Sequence, residues 1–385
     1  MSTANIDRVS PYLEALRNIT PLVLQQRALF DFERRISQNV YDKLAEADLF
    51  RLWLPEALGG PALSPIEFLI VVEAAAALDG SIGWIVGNGG GMSRAGGYLP
   101  ETTARQWFSD STAFVASSTA SVGEAVQEDG GFRISGKWFF ASGAHHATVF
   151  MGLCATKNAD GSDGLVFCCY LPRDKVTVHD TWHVSGLRGT GSCEFEASNV
   201  FVPNEHTHGF VTPVPTQSGI VYQLPGISAF VWSVAVVPLG IARGVLDSFK
   251  EMATRKTRAG TAAVMCEREL IQSMMGRAET LYAAARLLLI SAMTDLTAAI
   301  GLDEHKLFQA RIRFRTAAAH AAETALRIVD MCATEAGAIA IFESCAIERA
   351  VRDLNAVSKH IAMSPNIYIA AGRVEFGLDP GTARF

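Results

Sequence analysis

Near the end of the chain His360 follows Arg352 and Asp353 in the string AIERAVRDLNAVSKHIAMSPN. Imidazole changes charge close to neutral pH, so a histidine facing a ligand can take a proton, give one or hold a polar atom. The same residue could instead cap a helix C-terminus, where positive charge is favoured. Far upstream Ser142 stands in FFASG, a hydroxyl able to donate and to accept, or simply a turn residue ahead of Gly143. More hydroxyls lie in VASSTASVGEA (Ser117, Ser118) and in RGTGS (Thr190, Ser192). Trp84 sits in an apolar run, GSIGWIVGNG, where it reads equally as pocket wall or helix core. Arg255 and Arg258, in ATRKTRAG, carry the permanent charge that a phosphate requires, or are solvated surface groups.

Other strings invite chemistry and do not sustain it. GNGGG (Gly87 to Gly91) follows a helical run, and Met92 breaks the GxGxxG spacing of a dinucleotide fingerprint. No P-loop string is present, so no nicotinamide site is expected on this chain. His145, His146, His206 and His208 suggest a metal, but no cluster of carboxylates or cysteines accompanies them, so none is expected. GTGS lacks the setting of a nucleophile elbow.

The elements that must position these groups come in three textures. Residues 1 to about 110 read as helices, with the 3.6-residue period in VYDKLAEADLFRLWLP and a long apolar run in PIEFLIVVEAAAALDGSIGWIVGNG. From about 111 to 220 the runs are short, β-branched and aromatic, separated by turns such as DGG and NADGSDG, which predicts a small barrel or sandwich. From about 226 onward, four long helical patterns predict a bundle. Of the 385 residues, 49% are hydrophobic and 19% charged, with a mean hydropathy of +0.20 and a net charge of −6. That composition buries a large core and favours neither nucleic acid nor an anionic membrane. Seven scattered cysteines without CxxC spacing read as reduced thiols, and the charged N-terminus carries no signal-type run, so a cytoplasmic location is expected. The longest apolar stretches are read as interrupted by Gly, Arg or Asp well short of a membrane span.

The order helical, β, helical resembles the acyl-CoA dehydrogenase superfamily along essentially the whole chain. ADLFRLWLPEALGGPALSPIEFLIVVEAAAALDGSIGW is similar to the family's first domain, GFRISGKWFFASGAHHA to its flavin-facing strand, GLRGTGSCEFEASNVFVP to its last barrel strand, and AIERAVRDLNAVSKH to its final bundle helix with the pair Arg352 and Asp353. The expected fold is therefore α+β and acyl-CoA dehydrogenase-like. It comprises an N-terminal helical domain (1–110), a central β-barrel or sandwich (111–224) and a C-terminal four-helix bundle (225–385).

Two chemistries share that family. Many dehydrogenases carry a glutamate base in a Tyr-Glu-Gly-Thr string after the Arg-Asp pair. Here the corresponding positions are His360, Ile361 and Ala362, and Ile361 cannot take a proton. The flavin hydroxylases of the fold are similar at this spot, with a histidine after the pair and a serine at the position of Ser142. The resemblance thus implies the oxygenase component of a two-component flavin-dependent monooxygenase. Such an enzyme uses reduced FMN or FAD and O2, through a C4a-hydroperoxyflavin, to hydroxylate an aromatic or heteroaromatic molecule. It implies catalytic roles for His360 and Ser142, and flavin contacts from Ser117, Ser118, Phe140, Ser142, Thr190, Ser192, Arg255 and Arg258. Trp84 and His360 are implied to line the substrate pocket. A separate NAD(P)H:flavin reductase and a homotetramer are implied partners, and the alternatives are an acyl-CoA dehydrogenase or an N-oxygenating enzyme acting on an amine or aminosugar.

Overall fold

The computed structural model describes residues 6–157, 163–211, 213–257 and 264–382. Five helices come first: α1 (Ile6–Glu33), α2 (Gln38–Glu46), α3 (Pro65–Leu78), α4 (Gly80–Met92) and α5 (Glu101–Phe108). Local chemistry fixes their starts. Ser64 and Glu67 form a reciprocal capping box at α3, with Pro65 in the first turn where its missing N–H costs nothing. Asp79 caps α4, its Oδ1 accepting the N–H groups of Ser81 at 3.0 Å and Ile82 at 3.3 Å.

Seven strands follow: β1 (Val115–Glu128), β2 (Gly131–Ala141), β3 (Val149–Lys157), β4 (Asp163–Pro172), β5 (Thr177–His179), β6 (Cys193–Pro203) and β7 (Thr207–Gly209). They form one mixed sheet in the order β5-β6-β2-β1-β3-β4-β7. β1 runs parallel to β3 and antiparallel to β2. The expected barrel is corrected here: the sheet is not closed, because its two end strands are only three residues long and do not pair with each other.

The remaining helices are α6 (Gly226–Trp232), α7 (Val237–Arg255), α8 (Glu269–Ala299), α9 (Glu304–Ala336), α10 (Ala346–Val357) and α11 (Ile367–Glu375). α8 and α7 pack along α9, α10 packs on both α7 and α9, and α3 packs on α7. One contiguous apolar core runs from α1 through the sheet to α10, so the three textures share their interior. Two stretches, Gly226–Arg255 and Glu269–Ala299, are long and apolar enough to cross a membrane, against the expectation that none approaches that length. The first is 83% buried in this fold and is core; the second is 28% buried, which leaves an apolar face of α8 on the surface.

Between these layers lies a buried ionic network. The guanidinium of Arg349 on α10 reaches Asp79 at 2.9 Å, Asp31 of α1 at 2.7 Å and Asp353 at 3.8 Å. Arg27 adds a second cation to Asp79 at 3.4 Å. Asp353 in turn accepts the backbone N–H of Leu187 at 2.6 Å. Burial and the neighbouring Asp79 push the Asp353 carboxyl well above the usual carboxylate range, while Arg349 and the Leu187 N–H pull it back. Arg349, one turn before Asp353, faces that carboxyl, while the adjacent Arg352 bonds Glu348 and Asp31. Gly186 allows the approach, since a Cβ there would lie 2.0 Å from the carbonyl oxygen of Arg352.

Removing one partner of such a network strands buried charge. Arg349→Met should therefore cost about 3–5 kcal/mol, read as a lowered midpoint in denaturant unfolding. A midpoint equal to the parent's would mean that the network is not what ties these layers together.

Candidate active site

The network delivers three chain segments to one place. α4 begins at Asp79 and carries Trp84 one turn later. The turn after Leu187 carries Thr190 and Ser192. α10 ends just before His360. Opposite them β2 ends in a tight reversal, with Phe140 at φ +63° and Gly143 at φ +79°. Positive φ at a phenylalanine is unfavourable and is held here by its surroundings. The reversal is tied to the Leu187 turn, since the Gly143 N–H donates to the Thr190 carbonyl at 2.8 Å. It places the Ser142 hydroxyl inward, buried.

Trp84 joins the pieces. Its indole N–H donates to Ser142 Oγ at 2.9 Å, and its ring meets the His360 ring edge-on, with centroids 5.1 Å apart. Ser142 and Ser192 share a hydrogen bond of 2.8 Å, and Ser192 and Thr190 one of 2.7 Å. Thr190 spends its only hydroxyl proton on the Leu187 carbonyl at 2.9 Å. The proton between Ser192 and Thr190 must then come from Ser192, and the one between Ser142 and Ser192 from Ser142. Ser142, already accepting from Trp84, is left with one lone pair and no proton to offer.

His360 has equally little freedom. Its Nδ1 accepts the N–H of Ala362 at 3.2 Å, capping the short turn Ile361–Met363 at its N-terminal end. It is thus a cap, but at the start of a turn and not at a helix C-terminus. The neutral ring then carries its proton on Nε2, which has no partner among the described residues. His360 is exposed by surface area, although many protein atoms crowd the ring at longer range. That crowding, and next the positive charge of Arg315, lower its pKa to about 4. Arg315, buried on α9, donates to the Ile361 carbonyl at 3.1 Å. Neither of the two influences on His360 is a carboxylate, and Ile361 is largely exposed.

Of the residues picked out in the sequence, Trp84, Ser142, Thr190, Ser192 and His360 come together. Ser118 is engaged nearby in β1, donating to the Phe139 carbonyl at 2.6 Å beside a register shift. Ser117 pairs in register with Met151 of β3 and is half-buried. Phe140 is exposed, with its ring edge-on to Trp182. Arg255 is exposed at the end of α7 and pairs with Glu251 at 2.8 Å, and no contact links it to the cluster. Arg258 lies outside the described residues.

Sequence inspection passed over Arg94, just beyond α4, although it is the only charge between Asp79 and Glu101. It is 5% exposed, and among the described residues it makes neither an ion pair nor a hydrogen bond. Its guanidinium lies between the rings of Tyr98, at 5.4 Å, and Phe230, at 5.5 Å. Cation–π contacts return about 0.5–2 kcal/mol. An uncompensated buried ion costs several kcal/mol, so the rings alone do not balance it.

Residues 15–97 match the acyl-CoA dehydrogenase N-terminal domain, and residues 232–365 the acyl-CoA dehydrogenase C-terminal domain. The chain is 28% identical to indole-3-acetate monooxygenase of Acinetobacter baumannii, covering 91% of this chain and 90% of that protein. It is 29% identical to the oxygenase component of an FADH(2)-dependent resorcinol hydroxylase of Rhizobium, covering 90% and 89%. Its fold overlays the crystal structure of 3-HSA hydroxylase from Rhodococcus with a TM-score of 0.88 at 26% identity, covering 95% of this chain and 97% of that one.

The depressed histidine pKa has a definite sign. An unfolded histidine titrates near 6.5, whereas His360, His146 and His208 are each lowered to about 4, chiefly by loss of solvation. Between those values the unfolded chain binds more protons, so their contribution is complete above about pH 6.5 and is lost as pH falls toward 4. Ring-proton NMR should find these three imidazoles neutral at pH 5.5, with thermal stability declining below pH 6.5. A His360 ring charged at pH 6 would contradict the site described above.

Proposed function

The chain belongs to the acyl-CoA dehydrogenase superfamily, as a flavin-dependent monooxygenase supplied with reduced flavin by a separate reductase, and we propose that it hydroxylates an aromatic or heteroaromatic small molecule at the Trp84–Ser142–His360 site. The observation that carries the site assignment is the polarity of the hydroxyl chain. Having given its proton to Ser192, Ser142 can only accept from a ligand. Reduced flavin presents an N–H at N5, whereas oxidised flavin presents a lone pair there, so the serine suits the reduced form. Reduced flavin together with O2 supplies the oxygen atom that is transferred.

The chain's own residues have three tasks in this reading. Ser142, held by Trp84 and by the Ser192–Thr190 relay, fixes the flavin edge. Ser117, Ser118 and Phe140 flank the same end of β2, and Arg255 and Arg258 are further candidates for the flavin phosphate. Trp84 forms an apolar wall that excludes water, which suits a reactive oxygen donor. His360 holds a polar atom of the substrate through Nε2–H. Taking a proton at Nε2 would require it to shed its own and break the bond from Ala362. Dehydrogenase chemistry needs a carboxylate base, and the position after His360 is Ile361.

The finer assembly is also a proposal: α7 to α10 act as the family's four-helix bundle, and the exposed apolar residues Leu270, Leu287 and Leu288 of α8 pack against other copies in a homotetramer. Light scattering that returns the 41.4 kDa monomer at micromolar concentration would contradict it.

Chemically reduced FMN or FAD, mixed with oxygen and a panel of phenols and indoles, should yield hydroxylated product, whereas NADH with oxidised flavin should yield none. In His360→Ala, product should fall on the order of a hundredfold while hydrogen peroxide rises. His360→Asn should recover part of that loss if the residue acts as a donor; equal loss in both variants would point to proton abstraction. Thr190→Val frees the Ser192 proton to turn toward Ser142, which can then donate outward. It should tighten oxidised flavin relative to reduced flavin by about tenfold in binding titrations. An unchanged ratio would rule out the relay as the source of redox selectivity.

A further inference from the structure

Arg94 differs from Arg349, the buried cation of the ionic network. Arg349 faces the Asp79 carboxylate at 2.9 Å. Arg94 is as deeply buried and has no acidic partner among the described residues. The groups around it do not supply one. Tyr98 donates its hydroxyl to the Tyr222 carbonyl at 2.9 Å. His208 gives its Nδ1 proton to the Gly209 carbonyl at 2.8 Å and accepts at Nε2 from Tyr170, also at 2.8 Å. Burial raises Tyr98, Tyr170 and Cys168 and lowers His208, so all four stay neutral at pH 7. The local charge is that of one guanidinium.

Its position is suggestive in the same way. α4 and the short turn that follows it lead from Trp84 to Arg94 over ten residues, roughly 15 Å along a helix axis. The segment that carries Phe230 lies against this helix, with Ser233 beside Gly87 and Gly91. Arg94 thus follows directly on the helix that carries Trp84, with the rings of Tyr98 and Phe230 close to its guanidinium and Nη1 unbonded.

We propose that Arg94 is an anion-binding subsite that takes the carboxylate of an aromatic acid substrate, whose ring lies toward Trp84 and His360. A guanidinium fork matches a carboxylate in shape, and flanking aromatic faces suit a flat molecule. The proposal rests on the monooxygenase reading for its ligand class, but its test needs no turnover.

The test is anaerobic calorimetric titration of the full-length chain, with and without reduced FMN, using phenylacetate and 2-naphthylacetate against their amides. The acids should bind on the order of thirtyfold more tightly than the amides. Arg94→Met should erase that preference while leaving amide affinity unchanged, and Arg94→Lys should keep part of it. Equal binding of acid and amide by the parent chain would overturn the proposal whether or not any variant folds. If Arg94→Met instead weakens FMN binding but not riboflavin binding, the anion is the cofactor's phosphate and the substrate assignment fails. Acid preference without any oxygenation of aromatics would leave this subsite standing and remove the monooxygenase reading.

Discussion

The contact between Arg349 and the carboxylates of Asp79 and Asp353 is the constraint on which the rest of the site depends. Each end of it is also a backbone anchor. Asp79 caps the helix that carries Trp84, and Asp353 holds the N–H that starts the turn with Thr190 and Ser192. Arg349 itself rides on the helix that delivers His360. Ionic groups this deep add little net stability over a well-packed apolar core. What they do supply is registry, because a charge can be satisfied in few arrangements whereas apolar surfaces slide. Segments far apart in the chain are thereby held in hydrogen-bond register with one another.

The hydroxyl chain extends that registry to single protons. Serine and threonine hydroxyls usually turn to suit their partners. Here the direction is set at the far end, where the Leu187 carbonyl takes the Thr190 proton, and it passes through Ser192 to Ser142. The Leu187 residue whose carbonyl orders the chain is the one whose N–H is held by Asp353. A buried carboxylate thus reaches the site as geometry, without touching a ligand.

Much of this was legible in the sequence, and the limits are physical. Trp84, Ser142, Thr190, Ser192 and His360 stand in strings that carry their own local structure, and they converge. The closing of the sheet was misread because strand patterns report alternation of faces and not which edges meet; β1 pairs in parallel with β3, a non-local choice. The ionic partner of Asp353 was not read from the sequence; neighbours on a helix face lie three or four apart, which selects Arg349 over the adjacent Arg352. Arg94 had a signal, a solitary charge in a long run of small and apolar residues, but its lack of a partner is a property of the folded molecule.

The glycines that imitate a nucleotide loop, Gly87 to Gly91, turn out to be helix. A Cβ on Gly87 would lie 2.3 Å from the Ser233 carbonyl oxygen, and one on Gly91 2.7 Å from the Ser233 Cβ. A helix bare along one side lets its neighbour settle on backbone, so the spacing there is set by the absence of side chains. Such a slot behaves like an adjustable jaw. Adding one methyl group would shift Ser233, and Phe230 with it, without altering any group that handles protons. The spacing between this helix and its neighbour and the handling of protons are thus written in different residues of the same helix, so one can be altered without the other.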